Sequence, residues 1–408
     1  MPVKFFPLPL WEGVRGRGIA VAALTLAPFF VQAETAGEVS LQDWRPLPPA
    51  SELTISAEVR EIRERLLGAD ATDPRYVRLW WYGVSSFIIS MGGHLFLLDA
   101  WEIVGLHQDY VPIGREELAA LKPEAVLIGH GHFDHAADAG YIAGRSGAVL
   151  VASEEVCTTA KQDAARENLA DKFRCLILGS AEEPEVGTLR PVKLWRDLPA
   201  IHILRHLHSA PTFKDRGEAF FHAPAFKLFF QHFNTSLAEW GRFLRHLTDP
   251  QGGAWAYQLR VGDFSLLWYD SSGPINSGEQ AIAIQKSLRG LPDCVDVQLA
   301  PIVCFNQMLS GLRDPRLYVE HAHPRVVLPT HHDAWIPLMG GGAAAYEEEW
   351  REELRSLPNP PELDYLRDPD DYLKVRSYRV DDPRWKVPMP GSACAVDRVV
   401  ILSPSKGD

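Results

Sequence analysis

No two cysteines in this chain stand three positions apart, which excludes a C-x-x-C zinc knuckle or dithiol redox pair. The five present (Cys157, Cys175, Cys294, Cys304 and Cys394) make an odd count. Cys157–Cys175 and Cys294–Cys304 are the nearest pairs, so one or two disulfides and buried free thiols are both open. Basic charge is also short: 41 Lys and Arg against 53 Asp and Glu give a net charge of −12. Binding a phosphate backbone needs a basic surface, so a nucleic-acid partner is disfavoured. No repeat or low-complexity tract stands out, and past residue 33 no apolar run is long enough to span a bilayer.

What remains is the composition of a soluble globular protein. Of the 408 residues, 46% are hydrophobic and 23% charged, enough for one large domain or two ordinary ones. The N-terminus reads as an export signal spanning residues 1–33. Lys4, Arg15 and Arg17 supply positive charge, "GIAVAALTLAPFF" a short apolar core, and "VQA" before Glu34 a small-residue cleavage site. The alternative is a buried strand or helix of the mature fold. Its basic region is long for a signal, so a true start later than Met1 is also open. Removing residues 1–33 takes away a net +2 and leaves −14. The expected destination is the periplasm or the cell exterior.

Residues 34–75 read as a polar, proline-containing extension ending in a helix from about Ala57 to Leu67. The main domain, residues 76–408, opens on "VRLWWYGVSSFIIS" and "HLFLLDAW", two β-rich runs around Gly92-Gly93 that predict a hairpin. "EAVLIG", "AVLVAS", "CLILG" and "IHILRHLHSA" read as strands, with helices between. "GAWAYQLRVGDFSLLWYDSSG" predicts a second hairpin at Gly262-Asp263, and "VDVQLAPI" and "PRVVLPTHHDA" close the core. Residues 212–250 interrupt this rhythm with nine Phe and Trp residues, either a helix pair packed on the core or an apolar pocket wall. Lys214, Arg216 and Lys227 there could meet an anionic group or simply be solvated. The whole reads as one α/β domain with two β layers and outer helices.

The most specific stretch is "LIGHGHFDHAADAG", residues 127–140, where an apolar strand runs into His130, His132, Asp134 and His135. A tight loop at a strand end lets these imidazole and carboxylate groups converge, a donor set suited to zinc or a similar divalent ion. The stretch resembles the H-x-H-x-D-H signature of the metallo-β-lactamase superfamily, and the resemblance runs from about Val77 to Trp335. It implies an αββα four-layer sandwich, with Asp99 ending a strand near the site. Many relatives carry histidine where this chain has Val84.

The resemblance further implies three ligands downstream, each at a strand end. In "RHLHSAP" the choice lies between His206 and His208. Strand alternation sets both on one face with His202, and His208 before Ser209 is similar to the family's His-Ser pattern. "LLWYDSSGP" is similar to the family's Gly-Asp-Thr-Gly turn, with Asp270 as ligand. In "VVLPTHHDAW" His331 matches the family segment better than His332. The implied set is His130, His132 and His208 for one ion, Asp134, His135 and His331 for a second, and Asp270 bridging. Iron-using relatives commonly have glutamate where this chain has His132, which favours zinc, with manganese or iron as alternatives.

Two such ions share a water and lower its pKa towards ~7, providing a bridging hydroxide. Asp134 is the expected catalytic residue, orienting that nucleophile and accepting its proton. The hairpin, the Asp-Ser-Ser-Gly turn and the Pro-Thr-His end look most like the lactonase and phospholipase-D-like branch. The expected activity is hydrolysis of a phosphodiester on a small-molecule or lipid-like substrate. A lactonase, esterase or β-lactamase of the same fold is the alternative, and a non-catalytic zinc-stabilised binding module is the reading from another class.

Overall fold

The computed structural model describes residues 37–392 and 394, except 107–109, 211–221, 224 and 335–340. Residues 1–33, read as an export signal, and Phe213, Lys214, Arg216, Phe220, Phe221 and Trp335 lie outside the described residues. Fifteen strands occur among the described residues. They are β1 (Glu38–Ser40), β2 (Tyr76–Gly83), β3 (Ser86–Met91), β4 (His94–Leu98), β5 (Ala125–Leu127), β6 (Val149–Ala152), β7 (Arg174–Ile177), β8 (Leu189–Val192), β9 (Ile201–His206), β10 (Ala254–Val261), β11 (Phe264–Trp268), β12 (Val297–Pro301), β13 (Val326–Thr330), β14 (Glu362–Leu363) and β15 (Arg376–Arg379).

Period-two alternation decides the layering. Trp81, Phe87, Ile89, Leu98 and Val151 point into a core shared with Tyr257, Trp268, Leu299 and Leu328. Their neighbours Trp80, Ile88, Leu97, Val126 and Leu150 point the other way, towards helices Ala139–Ser146 and Glu154–Arg166. On the far side, Leu204, Leu267 and Val327 pack under helices Glu279–Arg289, Arg313–Ala322 and Glu347–Arg355. Both faces of both sheets are therefore apolar and covered, which is the αββα sandwich expected. Its sheets have the orders β1-β7-β6-β5-β4-β3-β2-β15 and β14-β13-β12-β11-β10-β9-β8. Helix Glu154–Arg166 starts where Ser153 accepts from the Val156 amide, a cap worth about 1 kcal/mol.

Each sheet is parallel in one half and antiparallel in the other. Strands β4 to β7 run parallel, as do β11 to β14. Because β9 and β11 are both antiparallel to β10, they share a direction. The chain following β4, β5, β9, β11 and β13 carries, in turn, Asp99, His130–His135, His208, Asp270 and His331, all at carboxyl ends of strands. Sheets of this kind gather ligands there.

Several expectations need correction. The first β-rich run is two strands, turning at Val84-Ser85 before the Gly92-Gly93 hairpin. Valine rarely starts a turn, but Val84 is held at φ +51° because its amide donates to both carboxylate oxygens of Asp333, 249 residues away. The segment read as an extension supplies β1, which pairs with β7, and a bridge from Leu47 to Trp195. Cys157–Cys175 is a disulfide, but Cys294 joins Cys394 rather than Cys304. The extended strand β12 lies between Cys294 and Cys304 and keeps them on the order of 15 Å apart, far beyond bonding reach. Cys304 is buried and free, and burial pushes its thiol up to about 12.

Candidate metal centre

The histidine loop is built on close backbone approach. A Cβ on Gly129 would lie 2.1 Å from the Asp270 carboxyl carbon, and one on Gly131 would lie 2.2 Å from the Pro250 carbonyl oxygen. Glycine at both positions lets the loop press against the second sheet, where Gly131 also donates to Gln251 at 2.7 Å. One turn of helix, Phe133–Ala136, then swings Asp134 and His135 inward.

Three groups of donors converge here: His130, His132 and His208; His130, His135 and Asp270; and Asp134, His135 and His331. Within each, one ligand atom per residue lies within 4.8 Å of the others. His130 Nε2 is 3.0 Å from His132 Nδ1, and the His208 ring centre is 4.5 Å and 4.6 Å from those of His130 and His132. His135 Nε2 and His331 Nε2 flank Asp134 Oδ2 at 3.4 and 3.3 Å. Asp270 Oδ2 sits between the outer groups, 2.8 Å from His130 Nδ1 and 3.5 Å from His135 Nδ1.

The donor chemistry fits divalent ions. Nitrogen and carboxylate oxygen at this spacing suit zinc, and the buried Asp270 Oδ1 has no hydrogen-bond partner. Burial, reinforced by crowding with neighbouring histidines, holds His130 and His208 well below the ordinary imidazole pKa, in the neutral form that ligates. Burial would raise the Asp134 carboxyl, but His135 and His331 outweigh it and hold it well below the usual carboxylate range.

Around the donors lies an orienting layer. Asp99 accepts from the Gly129 amide at 3.2 Å and lies 2.7 Å from His135 Nδ1, leaving His135 Nε2 facing Asp134. Asp99 and His331 share Val84's left-handed backbone, at φ +58° and +59°. The His331 amide donates to the Val84 carbonyl at 2.9 Å, so valine serves this corner through its backbone. Sequence reasoning missed Ser85, 3.4 Å from His135 Nδ1. It also missed the contacts that tie down the His208 loop. The Ser209 amide donates to Ser271 Oγ, and Ser209 Oγ accepts from the Asn306 amide, both at 2.9 Å. Ser209 and Ser271 stood in the His-Ser and Asp-Ser-Ser-Gly stretches, whereas nothing in the sequence pointed to Asn306.

The two pairs of candidate histidines differ in where they point. β9 ends at His206, so His208 lies beyond the strand and alternation no longer governs it. His206 faces the outer layer against Tyr269 and Tyr318, and burial pushes its imidazole down to about 4. His332 stacks on Trp81 and lies 2.8 Å from the Leu366 carbonyl, away from the donors. The aromatic segment touches the motif directly: Phe243 packs edge-on against Phe133 at 5.0 Å, and Phe133 against Trp101 at 5.7 Å.

A two-sheet sandwich with histidine and aspartate groups at its strand ends defines a class of proteins, and comparison shows what this one is similar to. Residues 79–226 match the model of the metallo-β-lactamase superfamily, a little over a third of the chain. It is 34% identical over 80 residues to a UPF0173 metal-dependent hydrolase of Pyrobaculum arsenaticum, covering 20% of this chain and 34% of that one. A namesake from Aeropyrum pernix is 34% identical over 111 residues, 27% of this chain and 43% of its own. The chain thus spans between a third and a half of the length of these two relatives. Among solved structures, the metallo hydrolase Igni18 of Ignicoccus hospitalis aligns with 74% of this chain and 98% of its own at 15% identity and TM-score 0.46. YhfI of Bacillus subtilis aligns with 74% and 100% at 11% identity and TM-score 0.41.

Proposed function

We propose that the protein is an exported, binuclear metal-dependent hydrolase acting on a phosphodiester with a lipid-like portion. The observation that carries this reading is the pair of donor groups, His130–His132–His208 and Asp134–His135–His331, with the Asp270 carboxylate between them. His130, His132 and His208 would hold one ion and Asp134, His135 and His331 the other, with Asp270 shared. Zinc fits first, with manganese or iron as alternatives. When bound, such a pair of ions lowers the pKa of a shared water and polarises a phosphoryl or carbonyl oxygen.

The chain's own groups do the positioning. Asp134, fixed between His135 and His331, orients the attacking oxygen and takes its proton. Asp99 holds the His135 ring through Nδ1, and the Ser209–Asn306 contacts hold the His208 loop. The aromatic segment against Phe133 supports an apolar substrate portion.

Metal-loaded protein assayed on chromogenic bis-phosphodiester, lactone, ester and lactam substrates tests the reading. Turnover of the phosphodiester that a chelator abolishes and Zn²⁺ or Mn²⁺ restores is the expected result. Turnover confined to lactones, esters or lactams would replace the substrate class. A chelator that lowers stability in a chain with no turnover on any of them would favour the binding module.

A further inference from the structure

Helix Leu237–His246 leaves an apolar stripe uncovered. Two of its polar residues point inward: Arg242 reaches Glu102 at 2.8 Å and Asp138 at 3.3 Å, and buried His246 lies 2.6 Å from Asp249. Apart from Phe243, its large apolar residues point out. Leu237, Trp240, Leu244 and, just past the helix, Leu247 recur at intervals of three and four and are 92%, 38%, 58% and 47% exposed. Among the described residues, seven of the twelve exposed large apolar side chains fall within residues 226–247. Clustering of exposed apolar side chains in one segment, rather than singly over the surface, marks a docking face.

Charge decides what docks. The exposed charged residues of helices Phe226–His232 and Leu237–His246 are Lys227 and Arg245, both cationic, on a chain whose net charge is −12. A second copy docking about a two-fold axis would set these like charges near their own images. A bilayer carrying anionic lipid instead complements both the apolar stripe and its cationic rim, and a convex helix face meets it without a matching groove.

We propose that this face, built from Phe226, Leu237, Trp240, Leu244 and Leu247 with Lys227 and Arg245 at its edge, docks the protein on an anionic phospholipid surface. The helix is anchored to the histidine loop through Phe243 on Phe133, so docking sets the strand-end loops beside the lipid. Binding does not require turnover, and its failure would leave the hydrolase reading standing.

Co-sedimentation of the full chain with vesicles of phosphatidylcholine alone, and of equal parts phosphatidylcholine and phosphatidylglycerol, tests it. The wild type should partition onto the mixed vesicles, less so at high salt. Leu237→Glu with Leu244→Glu should weaken this on the order of a hundredfold, since two leucines no longer enter the acyl boundary. An unchanged thermal melt shows that the variant is folded, and Leu247→Gln with Trp240→Gln is the second variant. Absence of wild-type binding, or binding that neither pair of substitutions alters, would overturn the proposal. So would a wild-type dimer in sedimentation velocity that the substitutions dissolve without any vesicle binding.

Discussion

Replacing Gly129 with alanine is the sharpest perturbation of the candidate centre, because it adds one methyl group and removes no donor. The new Cβ would lie 2.1, 2.2 and 2.3 Å from the Asp270 Cγ, Oδ2 and Oδ1 atoms, whereas ordinary contact begins at 3.4 Å. The carboxylate must retreat by more than ~1 Å, and metal sites tolerate displacements of only about 0.2 Å. Asp270 cannot stay between the two donor groups and meet that tolerance. The crowding itself should cost about 1–3 kcal/mol of stability in the metal-free protein. Metal affinity should fall at least tenfold, since even displacing an orienting contact costs ~10–100-fold. Elemental analysis of purified protein, together with the rise in melting temperature on adding Zn²⁺, reads both effects. If Gly129→Ala retained wild-type metal content and the same Zn²⁺-induced rise, Asp270 would not be a ligand and the shared site would be refuted.

Three further outcomes follow. His208→Ala should lower metal content, whereas His206→Gln should leave it unchanged and cost on the order of 1 kcal/mol of packing; the reverse pattern would reassign the ligand. His94 is buried between Glu124 and Asp197 at 2.5 and 2.9 Å; burial alone would lower its pKa, but the two carboxylates outweigh it and raise it. Its stabilising contribution is therefore complete below the unfolded pKa of about 6.5 and lost as pH climbs through the raised folded value. Urea melts should show His94→Gln destabilised by on the order of 2 kcal/mol at acidic pH, with the gap to wild type closing in alkali; a gap that widens instead refutes the assignment. Cys157→Ser should cost oxidised protein about 3 kcal/mol, as expected for a bond closing an 18-residue loop. An unchanged denaturation midpoint would mean that this bond does not form.

Local signals in the sequence pointed to the right elements where one physical rule dominated. Trp80 and Trp81 face opposite layers as period-two alternation requires, and Gly262-Asp263 turns its hairpin. The donors of residues 130–135 needed only their own loop to be found. Long-range partners stayed hidden. No rule of propensity turns a strand at Val84, because Asp333 does so from the far end of the chain. Cys294 passes over Cys304 for Cys394 because an extended strand intervenes. Strand β1 is three residues long and pairs with a strand more than a hundred residues away, so nothing nearby announces it. Asn306 met no motif, since its task is to brace a loop that only the fold brings near.

Each of the two outer donor trios mixes two from the loop after β5 with one from the opposite sheet, His208 or His331. A cation seated in either trio would therefore act as a rivet through the seam of the sandwich. Prising the sheets apart at this end would mean breaking coordination bonds, so loading and rigidity there would rise together. A chelator should then quicken amide exchange in the loops after β9 and β13 before it touches strands at the other end.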